Sequence, residues 1–321
     1  MSLLTRMFAS PPPDAAIEIA ADAVSAAVVG TRGGRPSVQA CAIQAFPSGS
    51  VTPSLTGQNV GDRNTVVAAL RAVVGRLGTR PTRVALVLPD LVTRVSLVKF
   101  DKVPGRREDL DQLIRWQLKK SAPFPLEEAS LTYVLGADSP DGGHEYLVAL
   151  ARREAVREYE SICEEAGLHA GIVDVSTFGV VNNVIAGGAA PPGDWLLVHR
   201  RVDYTSIVIM RAHNVIFFRN RPEGDGDPLA ELVHQTAMYY QDRLSGQGFS
   251  HILFSGGDGT DARGDETRRD LEQRLRARVD TVDPAGAAAL GDHVAATGPL
   301  AARFAPLVGT LLRSRRNAAA A

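Results

Sequence analysis

Short apolar runs and amphipathic stretches alternate along the first part of the chain. Residues 15–19, 24–29 and 37–45 are apolar-rich runs punctuated by Gly, Pro or Asp, which predicts three strands. A stretch with helical spacing follows, and residues 83–88 then form a compact buried strand that ends at Pro89. The helical stripe comprises Val66, Val67, Leu70, Val73, Val74 and Leu77.

The same order of elements returns later at an offset of about 180 residues. Residues 195–198, 206–210 and 215–219 predict three strands, and a further strand is predicted at 251–254. Between them, Asp227-Pro228 opens a helix, because a capping residue followed by Pro at the first helical position is typical of a helix start. The pattern predicts two related halves.

A segment of different pattern interrupts the first half and is predicted to be a small α+β unit. Strands are expected at 95–100, 131–135 and 145–150, with one helix ending before Pro123 and a second closing at Gly167. The predicted organisation is a flexible N-terminus over 1–13, a first domain over 14–93 and 168–190, an inserted subdomain over 94–167, a second domain over 194–315 and a disordered tail over 316–321.

Composition narrows the class of protein. The chain has 321 residues, 45% hydrophobic and 22% charged, with a formal charge of −1, so it lacks the basic excess of a nucleic-acid-binding surface. Cys41 and Cys163 are far apart, which argues against zinc or disulfide frameworks and fits a reducing compartment. No apolar stretch reaches the ~18 residues of a membrane span. Residues 1–13 form either a frayed tail or a short interfacial anchor.

Two segments of the inserted unit carry a more specific pattern. The first, residues 88–104, is LPDLVTRVSLVKFDKVP, and the second, residues 114–135, is IRWQLKKSAPFPLEEASLTYVL. A helix, a Pro-Phe-Pro-Leu-Glu-Glu turn and a Tyr-containing strand in this order resemble the PilM family. The resemblance extends over about Ala15 to Arg313. It implies a duplicated actin-like ATPase (ribonuclease H-like) fold, with a small α+β subdomain inserted in the first domain.

The resemblance also implies a nucleotide site between the two domains, where two Asp-x-Gly hairpin loops hold phosphates and magnesium. Glycine allows backbone N–H groups to approach the phosphate oxygens closely. Here Glu18 stands where the family has Asp, Ala20 stands where it has Gly, and Asp22 closes the loop. The second loop contains Arg200, Arg201 and Asp203 and has no glycine.

A third element, FSGGDG at 254–259, resembles the adenosine loop of the family through Gly256 and Gly257, although a simple tight turn explains it equally well. The two arginines allow two interpretations. Arg200 and Arg201 either replace the lost backbone cradle for phosphate, or form ion pairs with Glu18 and Asp22 across the cleft. His199 is interpreted as a core residue with satisfied hydrogen bonds.

The resemblance predicts a cytoplasmic, actin-like scaffold of a type IV pilus-type assembly machine, without catalytic or metal-binding residues, for which ATP with magnesium is the alternative ligand. By resemblance, it binds the N-terminal peptide of a PilN-like inner-membrane partner in a groove between the first domain and the insertion. Trp116 and Phe124 are the candidate contacts, with helix 110–120 as one wall. The alternatives are that Trp116 packs against the neighbouring domain and that Phe124 fills the core beside the Pro-Phe-Pro turn. The pilus motor ATPase is a second candidate partner.

Three alternatives remain open. The first is an ATP-binding conformational switch of the same machine, and the second is the actin-like component of a type II secretion apparatus. The third is a sugar-kinase-like enzyme, which should carry an intact Asp-x-Gly loop and a catalytic acid in the first domain; neither is visible.

Overall fold

Two mixed sheets with the same strand order make up most of the computed structural model, which describes residues 11–138, 143–188, 193–224, 228–256, 262–291, 294 and 302–320. The strands are β1 (Ala15–Ile19), β2 (Ala23–Arg32), β3 (Arg35–Ala45), β4 (Arg83–Leu88), β5 (Thr93–Phe100), β6 (Ala129–Asp138), β7 (His144–Arg152), β8 (His169–Val175), β9 (Asp194–Arg200), β10 (Tyr204–Arg211), β11 (Asn214–Pro222), β12 (His251–Ser255), β13 (Asp280–Thr281) and β14 (Ala289–Leu290). The helices are α1 (Arg63–Gly75), α2 (Arg107–Leu118), α3 (Arg153–Glu165), α4 (Ser176–Ala186), α5 (Leu229–Arg243), α6 (Ala262–Leu275) and α7 (Ala305–Ala320).

The first domain is built on the sheet β14-β3-β2-β1-β4-β8. Strand β1 runs antiparallel to β2 and parallel to β4, and every residue of β1 is buried. Helices cover both faces of this sheet, which explains why β1 is buried along its whole length and has apolar residues on both faces, with Glu18 as its one charged residue.

The second domain repeats this arrangement in the sheet β11-β10-β9-β12-β13. Its strand order matches β3-β2-β1-β4-β8 of the first domain, so the prediction of two related halves is confirmed. Helices α5 and α6 pack on one face. The other face packs on α4 of the first domain, where Val180 and Val184 join one core with Trp195 and Leu197. This shared core joins the two domains.

The inserted unit is a three-stranded antiparallel sheet, β5-β7-β6, covered by α2. Ile114 and Leu118 of α2 pack with Phe100, Tyr146 and Val148 of the sheet. The unit therefore has a small apolar core of its own.

Helix α3 does not belong to this unit. The inserted subdomain was predicted to extend to residue 167 and therefore to include α3. Tyr159, Ile162 and Cys163 join the core of the first domain together with Leu70 of α1. The apolar stripe of α3 lies against the first sheet, so the insertion ends near Arg152.

The C-terminal helix corrects the predicted second domain and tail. Helix α7 packs on the first sheet, where Leu307, Val308 and Leu311 contact a core that includes Ala16 and Val87. It also continues to Ala320, whereas residues 316–321 were expected to be disordered. Without α7, one face of the first sheet would be open, which is the physical reason that the chain returns to it.

Most of the predicted flexible N-terminus, residues 1–10, lies outside the described residues. Among the helices that the structure describes, none is both long and apolar enough to cross a bilayer.

Candidate functional site

The two hairpin loops singled out in the sequence face each other between the domains. The β1–β2 hairpin carries Glu18 and Asp22, and the β9–β10 hairpin carries Arg201 and Asp203. An ion pair between Arg201 and Glu18 joins the hairpins directly. The ion-pair interpretation of this loop is therefore confirmed for Arg201.

This ion pair is buried on both sides. The Glu18 side chain is 1% exposed and that of Arg201 is 9% exposed. Burial alone would lower the pKa of Arg201, but the Glu18 carboxylate outweighs it and raises that pKa above its usual value. The guanidinium therefore stays charged at the point where the two loops meet.

A chain of hydrogen bonds supports Glu18 from behind. Ser176 Oγ donates to Glu18 Oε1 at 2.7 Å and lies 3.2 Å from Nε2 of His199, whose Nδ1 lies 3.2 Å from Ser255 Oγ. Because Ser176 has one proton and gives it to the carboxylate, His199 must donate through Nε2 and accept from Ser255 through Nδ1. Burial, reinforced by Arg201, holds the pKa of His199 well below its usual value. The ring is neutral and satisfied, as predicted.

The remaining charges of the two loops have other partners than expected. Asp22 accepts two hydrogen bonds from Nη2 of Arg303, at 2.8 and 2.9 Å, and not from the second loop. Burial would raise the pKa of Asp22, but Arg303 outweighs it and lowers that pKa below its usual value. Arg200 donates to Thr267 at 2.6 Å and to Glu223 at 2.7 Å, so it does not reach Glu18 or Asp22.

Asp203 is the one acid of these loops that has no cation bound to it. Neither of its side-chain oxygens accepts a hydrogen bond from another described residue. Burial raises the pKa of Asp203 to about 6, against the attraction of Arg201. The carboxyl group is therefore partly protonated near pH 6.

The backbone of both loops is already committed to the hairpin turns. The N–H of Ala20 donates to the carbonyl of Ala23 at 3.0 Å, and the N–H of Arg201 donates to that of Tyr204 at 2.8 Å. Ala20 therefore places a Cβ where the family's loop has glycine, and the N–H groups of Ala20 and Arg201 are already paired within their turns.

Gly256 has a packing explanation. A Cβ at this position would lie 2.8 Å from the Phe254 ring and 3.0 Å from Cβ of Arg200. The glycine lets the end of β12 pack against β9, which needs no ligand. Gly257 lies outside the described residues.

Asp90 forms a second link between the domains, which the sequence analysis missed. Its buried carboxylate accepts hydrogen bonds from the Thr177 backbone at 3.0 Å and from the hydroxyl groups of Thr177 and Ser206. Its carbonyl accepts from Asn220 Nδ2 at 3.1 Å. Burial raises the pKa of Asp90 above its usual value. The sequence carries one feature that could have indicated Asp90: it is an acid that directly follows an apolar strand and Pro89.

Two surface grooves concern the predicted partner site. The junction groove, about 490 Å³, lies where the first domain, the insertion and the second domain meet. The insertion groove, about 570 Å³, lies within the insertion. The junction groove is lined by Leu55, Leu91, Arg94, Val95, Phe218 and Arg219, and the insertion groove by Arg115, Trp116, Lys119, Phe124, Leu126 and Glu127. Trp116 and Phe124 thus lie together, but they do not line the junction groove.

The duplicated sheet order, with two hairpin loops meeting between the domains, defines a protein of the actin-like ATPase fold. A family model described as type IV pilus assembly protein PilM matches residues 16–242. The chain belongs to this family. Comparison with curated protein sequences gives no match.

One solved structure shows the same fold, and two others are less similar. The PilM-PilN type IV pilus biogenesis complex is 18% identical with a TM-score of 0.81, covering 95% of this chain and 99% of that chain. A Bacteroides thetaiotaomicron protein with an actin-like ATPase fold is 11% identical with a TM-score of 0.48, covering 89% and 95%. The cytoplasmic domain of EpsL, from the type II secretion system of Vibrio cholerae, is 11% identical with a TM-score of 0.47, covering 75% and 81%.

Proposed function

We propose that this protein is a cytoplasmic, actin-like scaffold of a type IV pilus assembly machine. It binds the short cytoplasmic tail of a PilN-like inner-membrane protein and is held at the membrane through that partner. Membership of the PilM family and the likeness to the PilM-PilN complex support this proposal.

The observation that carries the proposal is the protein's own charge pair in the interdomain cleft. A nucleotide would have to separate Arg201 from Glu18, and both side chains are buried. It would also meet Ala20 where close backbone approach is needed. The cleft therefore holds the domains together instead of hydrolysing ATP, and the scaffold has no enzymatic activity.

We assign the partner tail to the junction groove, because this groove lies at the border of the first domain and the insertion. Leu55, Leu91 and Phe218 give it apolar walls from several parts of the chain. Arg94 and Arg219 stand at its exposed rim, and neither forms an ion pair with another described residue. Apolar pockets with a few polar groups at the rim are typical of peptide-binding sites.

The test is a calorimetric titration with the N-terminal cytoplasmic peptide of the PilN protein from the same organism. Leu55→Asp should weaken binding at least tenfold, about 1.4 kcal/mol, because it places a charge on an apolar wall. Leu135→Asp is the matched control, since Leu135 is exposed on β6 outside both grooves.

Trp116→Ala completes the comparison, because Trp116 was the contact for the tail predicted from the sequence. Loss of binding in this variant alone would move the tail to the insertion groove. The absence of binding to the unaltered chain would contradict the scaffold proposal itself.

A further inference from the structure

The end of helix α2 presents an indole ring and two amino groups to solvent. Trp116 is 68% exposed, the highest fraction among the large apolar side chains in the described part of the chain. Lys119 and Lys120 follow on the same turn, are exposed, and form no ion pair with another described residue. Phe124 lies beside Trp116 in the insertion groove.

Helix geometry fixes the ring on the outside. Leu113, Ile114 and Leu118 form the face of α2 that packs on the small sheet. Trp116 lies off this stripe, so it contributes nothing to the core of the insertion. An apolar ring with a polar N–H, flanked by amino groups, has the chemistry that places tryptophan at the boundary between lipid and water.

The basic residues of this face are lysines, which favours an anionic lipid surface over an acidic peptide as the ligand. The only lysines of the chain are Lys99, Lys102, Lys119 and Lys120, all within the insertion, whereas its other basic residues apart from histidine are arginines. Arginine suits the fixed, two-pronged recognition of a carboxylate, and lysine acts as a mobile point charge. The nearby Arg115 is already paired with Asp111 at 2.7 Å.

We propose that this face of the insertion, formed by Trp116, Lys119, Lys120 and Phe124, rests on an anionic lipid surface. The exposed indole ring of Trp116 enters the interfacial layer while the two amino groups meet the headgroup charges, and the half-buried Phe124 packs against the core of the insertion. Each lysine strengthens the partition by roughly fivefold, so the contact is weak and reversible. The contact becomes stronger when a second attachment, such as the proposed partner tail, raises the effective concentration of this face at the membrane.

The test does not depend on that partner. The chain has two tryptophans, and Trp195 is 0% exposed, so a change in emission on adding vesicles reports Trp116. We expect a blue shift with phosphatidylglycerol vesicles, none with phosphatidylcholine vesicles, and reversal at high salt. A Trp116→Phe variant should lose the shift.

Co-sedimentation with the same vesicles measures the charge contribution. The double variant K119Q/K120Q should reduce the lipid partition about 25-fold, the product of two fivefold effects. R35Q/R80Q is the charge-matched control, because Arg35 and Arg80 are exposed residues of the first domain, outside the insertion. It should change the partition by less than about twofold.

Three results would overturn the proposal. One is the absence of partition at millimolar anionic lipid. Another is an equal loss in the control variant, which would indicate a general charge effect. The third is a Trp116 shift produced by a soluble acidic peptide such as polyglutamate but not by vesicles, which would assign this face to a protein partner.

Discussion

The buried ion pair between the domains makes a sharp prediction about stability. Replacing Arg201 with Ala removes the cation from Glu18, whose side chain is 1% exposed in the unaltered chain. Ser176 still donates one hydrogen bond to it, at 2.7 Å. Breaking a buried pair on one side typically costs about 3–5 kcal/mol, because a buried charge is left uncompensated. We therefore expect the free energy of unfolding to fall by about 3 kcal/mol or more in Arg201→Ala.

Urea unfolding followed by circular dichroism measures this loss as a shift of the midpoint at constant slope. The control is Arg278→Ala, because Arg278 is 84% exposed and its ion pair with Asp280 lies in solvent. That variant should change stability by at most about 1 kcal/mol. A loss in Arg201→Ala no larger than in this control would refute the role given to the cleft.

A double variant shows whether the two charges act as a pair. Replacing both residues, as in E18Q/R201M, removes the charges together, and such neutral replacements of buried pairs cost little. It should therefore be more stable than R201M alone, and the cycle of E18Q, R201M and E18Q/R201M should give a coupling energy of about 0.5–3 kcal/mol. Strictly additive losses would show that the residues act independently.

Two further predictions concern Asp203 and the terminal helix. The pKa of Asp203 is about 6 in the folded chain against an ordinary value of 3.8, so the folded state holds more protons between these values and stability falls as pH rises through them. Asp203→Asn should flatten this fall in urea unfolding measured from pH 4 to pH 7, and an unchanged profile would contradict the assignment. In Gly309→Ala, the added Cβ would lie 1.9 Å from the Gly179 carbonyl oxygen, so the variant should lose about 1–3 kcal/mol and expose α7 to limited proteolysis. A variant as resistant as the unaltered chain would contradict the close packing of α4 and α7.

The strands that were predicted well from the sequence are those in which burial determines the local pattern of apolar and polar residues. Strand β1 is buried throughout and is apolar except for Glu18, because helices cover both faces of its sheet, and the return of a similar apolar run at β9 indicated the duplication. The helical stripe of α1 was equally clear. In each case the signal lies within a few consecutive residues.

The helices α3 and α7 show what the local pattern leaves undecided. An amphipathic stripe predicts that a helix packs, but not on which sheet, and both were assigned to the unit next to them in sequence. Their partners lie far away along the chain, as the contacts of Leu307 and Leu311 with the first sheet show. Only the folded chain brings these surfaces together.

The residues of the site also fall into those that could be predicted from the sequence and those that could not. The two hairpin loops and the altered residues Glu18 and Ala20 could be read from the sequence, and an ion pair to Glu18 was one of two interpretations. The bond from Arg303 to Asp22 and the hydroxyl groups around Asp90 could not, because they join residues from distant segments. Pairing of this kind depends on tertiary structure and leaves no periodic signal.

A titration of the PilN tail peptide into the full chain, with and without ATP and magnesium, tests the central claim most directly. A scaffold whose cleft is closed by its own ion pair should bind the peptide with the same affinity in both conditions. ATP alone should bind more weakly than about 100 μM, a free energy near −5.5 kcal/mol. Micromolar ATP binding, or a tail affinity that depends on ATP, would contradict the account and favour a nucleotide-driven switch.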